Sequence, residues 1–250
     1  MPRLTPFRLA AACALALVVS IVPAAAAAAK GVPAELRVVG KGGKVLTEQT
    51  LSTGTVSVKT SKSATCFGAG TGGSGKPATI KGATAMGLLV QASKSTPSLR
   101  PLSITDAFSF GLGICGIGSS TITNKKASWY LKVNHKAQQV GGDSVKLKPG
   151  DEVLWAYATS YPYANELALE APETATAGLP FQVSVFSYDE KGKRRPVAGA
   201  TVTGASGPTD SAGHATVTLS APGLLRATHG KEIPSAAAPV CIGGACPSGS

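Results

Sequence analysis

Two runs near the middle of the chain alternate with a period of two. In the first, Trp129, Leu131 and Val133 alternate with Tyr130 and Lys132; in the second, Val153, Trp155 and Tyr157 alternate with Leu154 and Ala156. That period predicts β-strands with one face buried. Turn-forming clusters at Asn134 and at Pro149-Gly150-Asp151 lie between them, so the chain reverses and the strands can pair. Trp129 and Trp155 share the phase of Val133 and Val153 and are assigned to the core, which leaves Tyr130 on the outward face.

Upstream, residues 35–39 and 44–51 read as two strands around a Gly42-Gly43 turn, and residues 55–59 continue the alternation. The Gly- and Ser-rich stretch 66–77 predicts an exposed loop. Thr84 then precedes Ala85, Leu88, Leu89 and Ala92, at i, i+3, i+4 and i+7, which predicts a helix with Thr84 as its N-cap. Gly87 inside it costs about 1 kcal/mol relative to alanine, so packing of the Leu88/Leu89 face must hold it. Residues 95–128 return to Pro, Gly and Ser and read as an irregular connection pinned by Phe108, Phe110, Ile114 and Ile117. Past residue 165 helical periodicity disappears and short apolar runs recur between turns, at 166–169, 181–186, 200–202, 215–219 and 224–228, which predicts a small all-β sandwich.

The expected fold class is therefore α+β: two strands, a helix, a long loop and two strands over residues 34–160, then a β-sandwich over 165–232. The tail 233–250 carries little core-forming material apart from a disulfide clasp.

The N-terminus changes the compartment. Arg3 and Arg8 precede an unbroken apolar run, Leu9 to Val22, and an alanine tract, Ala24 to Ala29, rich in small-x-small cleavage sites. This is the pattern of a signal peptide over residues 1–29. Its apolar run is short for a membrane span of roughly 20 residues, so the mature chain is expected to be secreted, free or held at the cell surface, with no span of its own. Of the chain's 24 Lys and Arg, Arg3 and Arg8 leave with the leader; 22 basic against 13 acidic side chains then give +9.

Such a surface favours polyanions, and outside a cell these are anionic wall polymers or lipid head groups sooner than nucleic acid. Lysines spread over a surface also serve solubility alone; the one dense cluster is Lys191-Gly-Lys193-Arg194-Arg195. Four cysteines remain after Cys13 is removed, and in an exported chain they argue for disulfides with three possible connectivities. Cys66 with Cys115 and Cys241 with Cys246 is the favoured pairing, since each pair stays inside one candidate domain. The first closes a loop of about 50 residues, worth about 3 to 4 kcal/mol. No Cys-x-x-Cys and no clustered His accompany them, so neither a metal nor a cofactor is expected.

Catalytic motifs are absent. Gly70-Thr-Gly-Gly-Ser-Gly75-Lys76 matches the first part of a phosphate-binding loop, but Pro77 supplies no hydroxyl for magnesium and disfavours a helix start. His135, His214 and His229 fall in turns or at strand ends, and no Gly-x-Ser-x-Gly or His-Glu-x-x-His pattern occurs. The acids Asp143, Asp151 and Glu152 lie beside turns. A binding role fits better, because the aromatics concentrate between Trp129 and Tyr163 and outward-facing members can stack on a flat ligand or sugar. The hairpin 129–136 with the segment 152–163 is the candidate surface, and Tyr130, Lys132, Asn134, His135, Tyr161 and Tyr163 are its candidate ligand-binding residues.

Four stretches carry a family likeness. Thr84-Ala-Met-Gly-Leu88-Leu89, Gly111-Leu-Gly-Ile-Cys115-Gly-Ile117-Gly, Ser128-Trp129-Tyr-Leu-Lys-Val-Asn134 and Lys148-Pro-Gly-Asp151-Glu-Val-Leu-Trp155-Ala-Tyr157 together resemble the transcobalamin-like C-terminal domain family of exported bacterial proteins. The resemblance covers about residues 34–160 and implies a β-grasp fold of the soluble-ligand-binding type; in cobalamin carriers the counterpart domain covers one face of the corrinoid. His135 stands where the family usually has Gly, and no partner helical domain is expected here to form the other half of a cobalamin site. Val197-Ala-Gly-Ala-Thr-Val202, Thr209-Asp210-Ser-Ala-Gly213 and Pro222-Gly223 are similar to bacterial Ig-like or carboxypeptidase-regulatory-like repeats, which serve as spacers or adhesive modules. The expected function is an exported, non-catalytic protein binding a soluble or wall-associated ligand; the competing reading is an adhesive envelope protein contacting anionic polymers.

Overall fold

The computed structural model describes residues 31–247 apart from 67 and 123–125. The expected signal peptide, residues 1–29, lies outside the described residues.

The first strand, β1 (Val32–Val39), turns back through Gly42 and Gly43, both at positive φ, into antiparallel β2 (Val45–Thr53). A two-stranded ribbon follows, β3 (Val56–Lys59) with β4 (Pro77–Ile80), then helix α1 (Ala85–Ser95). Next come β5 (Leu102–Phe108), β6 (Gly111–Ile117) and β7 (Ser120–Thr121), which form a sheet of their own. The hairpin β8 (Ser128–Val133) and β9 (Lys136–Ala137) leads to β10 (Glu152–Ala158). β10 inserts between β1 and β8, parallel to the former and antiparallel to the latter, so the central sheet runs β2-β1-β10-β8-β9.

The rest of the chain is built from β11 (Glu166–Glu170), β12 (Thr174–Ala175), β13 (Pro180–Tyr188), β14 (Arg194–Pro196), β15 (Thr201–Val202), β16 (His214–Thr218), β17 (Gly223–Leu225), β18 (Ala227–Thr228) and β19 (Ala238–Ile242). Their inward side chains, among them Leu167, Val183, Val185, Val217, Leu225 and Val240, make a second core.

The α+β expectation is overturned. Among the described residues nineteen strands in six sheets accompany one α-helix of 11 residues. Four strands precede the helix where two were expected, and the connection read as a long loop contains the β5-β6-β7 sheet. Glycine hid that sheet: in Gly111-Leu-Gly-Ile-Cys-Gly-Ile it occupies positions where alternation would otherwise show. It is there for close approach, since a Cβ on Gly113 would lie 2.9 Å from the Phe108 ring and one on Gly116 2.7 Å from Thr121. The tail also departs from expectation, because residues 238–242 form β19 between β12 and β17 and bury Val240 completely.

Helix α1 forms where its pattern places it. Thr84 is extended, and its hydroxyl accepts from Gly87 N–H at 3.0 Å. Leu88 and Leu89 are fully buried, and the Trp155 indole N–H donates to the Ala85 carbonyl at 3.4 Å. Because Thr84 is itself buried, Thr84→Ala leaves the Gly87 N–H unbonded and should lower stability by about 1 kcal/mol, read as a lower urea midpoint with unchanged m-value. The cysteines pair in the favoured way, Cys66 with Cys115 (Cα–Cα 4.6 Å) and Cys241 with Cys246 (Cα–Cα 4.2 Å).

The central sheet is covered on both faces. One face carries Leu131, Val133, Val153 and Trp155 against α1. The other carries Val39, Tyr130, Leu154 and Ala156 against Ile233, Tyr163 and Ala164. Alternation distinguishes the two faces of a strand but does not say what covers the second, which is why Tyr130 and Lys132 read as outward. In the structure Tyr130 is 5% exposed and Lys132 1%.

Candidate ligand-binding site

A cleft of about 370 Å³ opens beside β8. Trp129, Leu131 and Trp155 form its floor, the end of β5 and the turn after it supply Phe108 and Phe110, and Gln138 to Gly142 close the remaining side. Among the described residues, no charged side chain lines it. Phe108 and Phe110 stack with centroids 4.9 Å apart and planes 12° from parallel, while Trp129 meets Tyr157 edge-on at 5.6 Å. Phe110 and Val140 stand at the rim, 61% and 60% exposed, which is unusual for side chains of that size unless they serve contact. The Trp129 indole N–H is buried without a hydrogen-bond partner.

Local structure holds the walls. The Cys66–Cys115 disulfide and Ala64 pack under Phe108. Leu112 N–H donates to an Asp143 carboxylate oxygen at 3.3 Å, which ties the turn to the opposite wall. Phe108 and Phe110 were legible only as apolar pins in a loop, and Val140 gave no signal. Two phenylalanines two apart, flanking a strand turn, are the feature that would have found the wall.

The six residues expected to bind divide between several places. Tyr130 and Tyr163 reach the cleft, stacked on one another at 4.2 Å with a 30° tilt. Burial, then the charges of Glu190 and Glu166, push the Tyr130 phenol up. Ser128 Oγ donates to the Tyr163 hydroxyl at 3.3 Å. Tyr161 is 75% exposed and meets Tyr163 edge-on at 5.5 Å. Asn134 fixes the β8–β9 turn: at φ 48° its amide donates to Asp151 Oδ1 and its carbonyl accepts from Glu152 N–H, both at 2.9 Å.

Lys132 and His135 belong to a different structure, a buried charge cluster where the central sheet meets β11. Strand register places Arg37, Leu154 and Lys132 in one row across β1, β10 and β8. Glu166, 2% exposed, sits over that row. One of its oxygens is bound by Arg37; the other lies 3.1 Å from Lys132 Nζ and 3.2 Å from His135 Nδ1, as close polar contacts rather than aligned hydrogen bonds. Arg37 also donates to the Pro234 carbonyl and Lys132 to that of Tyr188, at 3.1 Å for the latter. The His135 ring stacks flat on Tyr188 at 3.9 Å.

Burial alone would raise the Glu166 carboxyl, but His135, Arg37 and Lys132 outweigh it and hold it at about 2. Burial pushes the Lys132 ammonium down while Glu166 pulls it back up. A neighbouring cavity of about 440 Å³ between the two parts of the chain is lined by Glu35, Glu48, Glu152 and Glu166 with Arg37 and Arg226. Most of these charges are paired, Glu48 with Arg226 and Glu166 with Arg37, so the cavity is a seam of the interface.

The glycine-rich stretch 70–76 is tied to β5 through Ser74. Asp106 accepts from both Ser74 N–H and Ser74 Oγ at 2.6 Å, and these bonds hold its carboxyl below the usual range. An anion arriving there would have to displace that carboxylate. Among the described residues no helix is long and apolar enough to cross a membrane.

A family model described as Domain of unknown function (DUF4430), of the transcobalamin-like kind, matches residues 109–159. That stretch runs from the β5–β6 turn through β10 and contains Phe110, Trp129, Val140 and Trp155. Comparison with curated proteins and with solved structures found no match to the chain.

Proposed function

We propose that this is an exported, non-catalytic ligand-binding protein whose site is the aromatic cleft beside β8. The observation that carries the reading is a cavity of about 370 Å³, walled by aromatic rings, without a charged group among its described lining residues and rimmed by exposed Phe110 and Val140, most of whose lining comes from the family-matched segment. Ligand cavities have this size and character. Among the described residues no histidine lines the cleft, and the one serine there has its hydroxyl on Tyr163, which favours binding over nucleophilic catalysis.

The basic loop is a poorer site. Asp189 accepts from the N–H groups of Lys191 and Lys193, both at 2.9 Å, and Arg194 is paired with Glu170 at 2.6 Å while lying 3.4 Å over the Phe186 ring. Its charge is partly neutralised and its geometry is taken up within the fold.

The chain has two tryptophans and both line the cleft, so intrinsic fluorescence reports on it directly. Compounds retained from culture extract by the purified protein, with cobalamin tried early, should shift or quench that emission saturably. Phe110→Ser, at an exposed position, should weaken the response by about tenfold or more, the equivalent of removing one buried aromatic contact. Retained compounds that leave both tryptophans unaffected, and bind Phe110→Ser equally well, would place the site elsewhere.

A further inference from the structure

Resting on that reading of the cleft, we infer that its occupant is an extended, uncharged stretch of polypeptide added as a strand along the free edge of β8. β8 pairs with β10 from Ser128 to Val133, but on its other side it meets β9 only at Lys132 and Val133. One further bond, Gln138 N–H to the Leu131 carbonyl at 2.9 Å, prolongs that side before the chain leaves the edge. Successive residues in an antiparallel ladder turn their peptide groups to opposite sides. Asn134 N–H donates towards β10, to Glu152, and Leu131 accepts on the β9 side. Trp129, two residues from Leu131, therefore presents its N–H and C=O to the side where, among the described residues, no backbone group meets them.

An unpaired donor and acceptor on a strand edge form a template for another strand, whose main chain supplies both partners. The cleft beside that edge receives every second side chain of such a strand. Its rings call for an apolar or aromatic residue there. Charge points the same way: the chain carries a formal +11, yet among the described residues no charged group lines this cavity. A charge buried against Trp129 and Phe110 would go uncompensated. A flat aromatic molecule would satisfy the rings and leave the Trp129 N–H and C=O unbonded.

End-blocked pentapeptides of valine, phenylalanine and glycine are the probes, titrated into the full mature chain while tryptophan emission and exchange of the Trp129 backbone amide are followed. We expect a saturable emission change and about tenfold or greater slowing of Trp129 amide exchange. N-methylation of the probe in the register facing β8 should weaken binding about tenfold, and in the opposite register by less than about twofold. Equal binding of both methylated forms overturns strand addition. If 2-naphthol shifts the emission and the peptides do not, strand addition is overturned while the cleft stands as a ligand site. If neither probe nor any extract compound moves the emission, both readings fall.

Discussion

Glu166→Gln should be among the most destabilising conservative substitutions in this chain, costing about 3–5 kcal/mol. The side chain keeps its size and loses its charge, which leaves Arg37 and Lys132, 8% and 1% exposed, facing each other without a counter-ion. A broken buried pair is far more costly than an absent one, because the remaining ions keep their desolvation penalty. Replacing the cluster with Arg37→Met, Lys132→Met and Glu166→Leu should therefore recover most of the loss. Urea unfolding followed by tryptophan emission measures both. A midpoint for Glu166→Gln equivalent to less than about 1 kcal/mol from wild type would show that water or rearrangement neutralises the cluster.

The same carboxylate sets an acid response. Its pKa is depressed from the ordinary value to about 2 in the folded chain. The native state thus gains stability from it that is fully present above about pH 4.5 and is lost as pH falls towards 2. Wild-type stability should fall across that window, and the Glu166→Gln curve should be flatter there. The cluster also ties β11 to the central sheet, so Glu166→Gln should speed proteolysis within residues 159–165, between β10 and β11.

What could be read in advance follows from how locally each feature is encoded. The helix was legible because Thr84, Leu88 and Leu89 declare a cap and a buried stripe within a few residues. The disulfide pairing was legible because each pair stays within one stretch of chain. The insertion of β10 between β1 and β8 was not, since register such as Leu36 opposite Val153 joins residues far apart in sequence. Tyr130 and Lys132 were recognised as differing in face from Trp129 and Leu131, but their cover, Ile233 and Glu166, comes from distant segments. The site divided for the same reason: proximity along the hairpin placed Lys132 and His135 with Tyr130, while the fold turns the first two to a buried ion cluster. The walls came from Phe108 and Phe110, in a stretch whose glycines masked its strands.

The two disulfides should differ in what their loss does, and the difference tests how the cleft is built. Cys66→Ala with Cys115→Ala opens a loop of sequence separation 49, and chain entropy alone makes that worth about 4 kcal/mol. Cys241→Ala with Cys246→Ala opens one of separation 5, worth about 2 kcal/mol. Stability is only half of the contrast. Cys66 and Cys115 pack with Ala64 beneath Phe108, the ring that stacks on Phe110 and faces Trp129 across the cleft. Without that support the wall loosens, so the first double variant should show red-shifted tryptophan emission and stronger acrylamide quenching even under conditions where it remains folded. The second pair closes a turn after β19, in the other core, and its removal should leave emission unchanged at equal fraction folded. Identical emission from the two variants would mean that the disulfide does not hold Phe108 in place, and that it stabilises the chain without shaping the site.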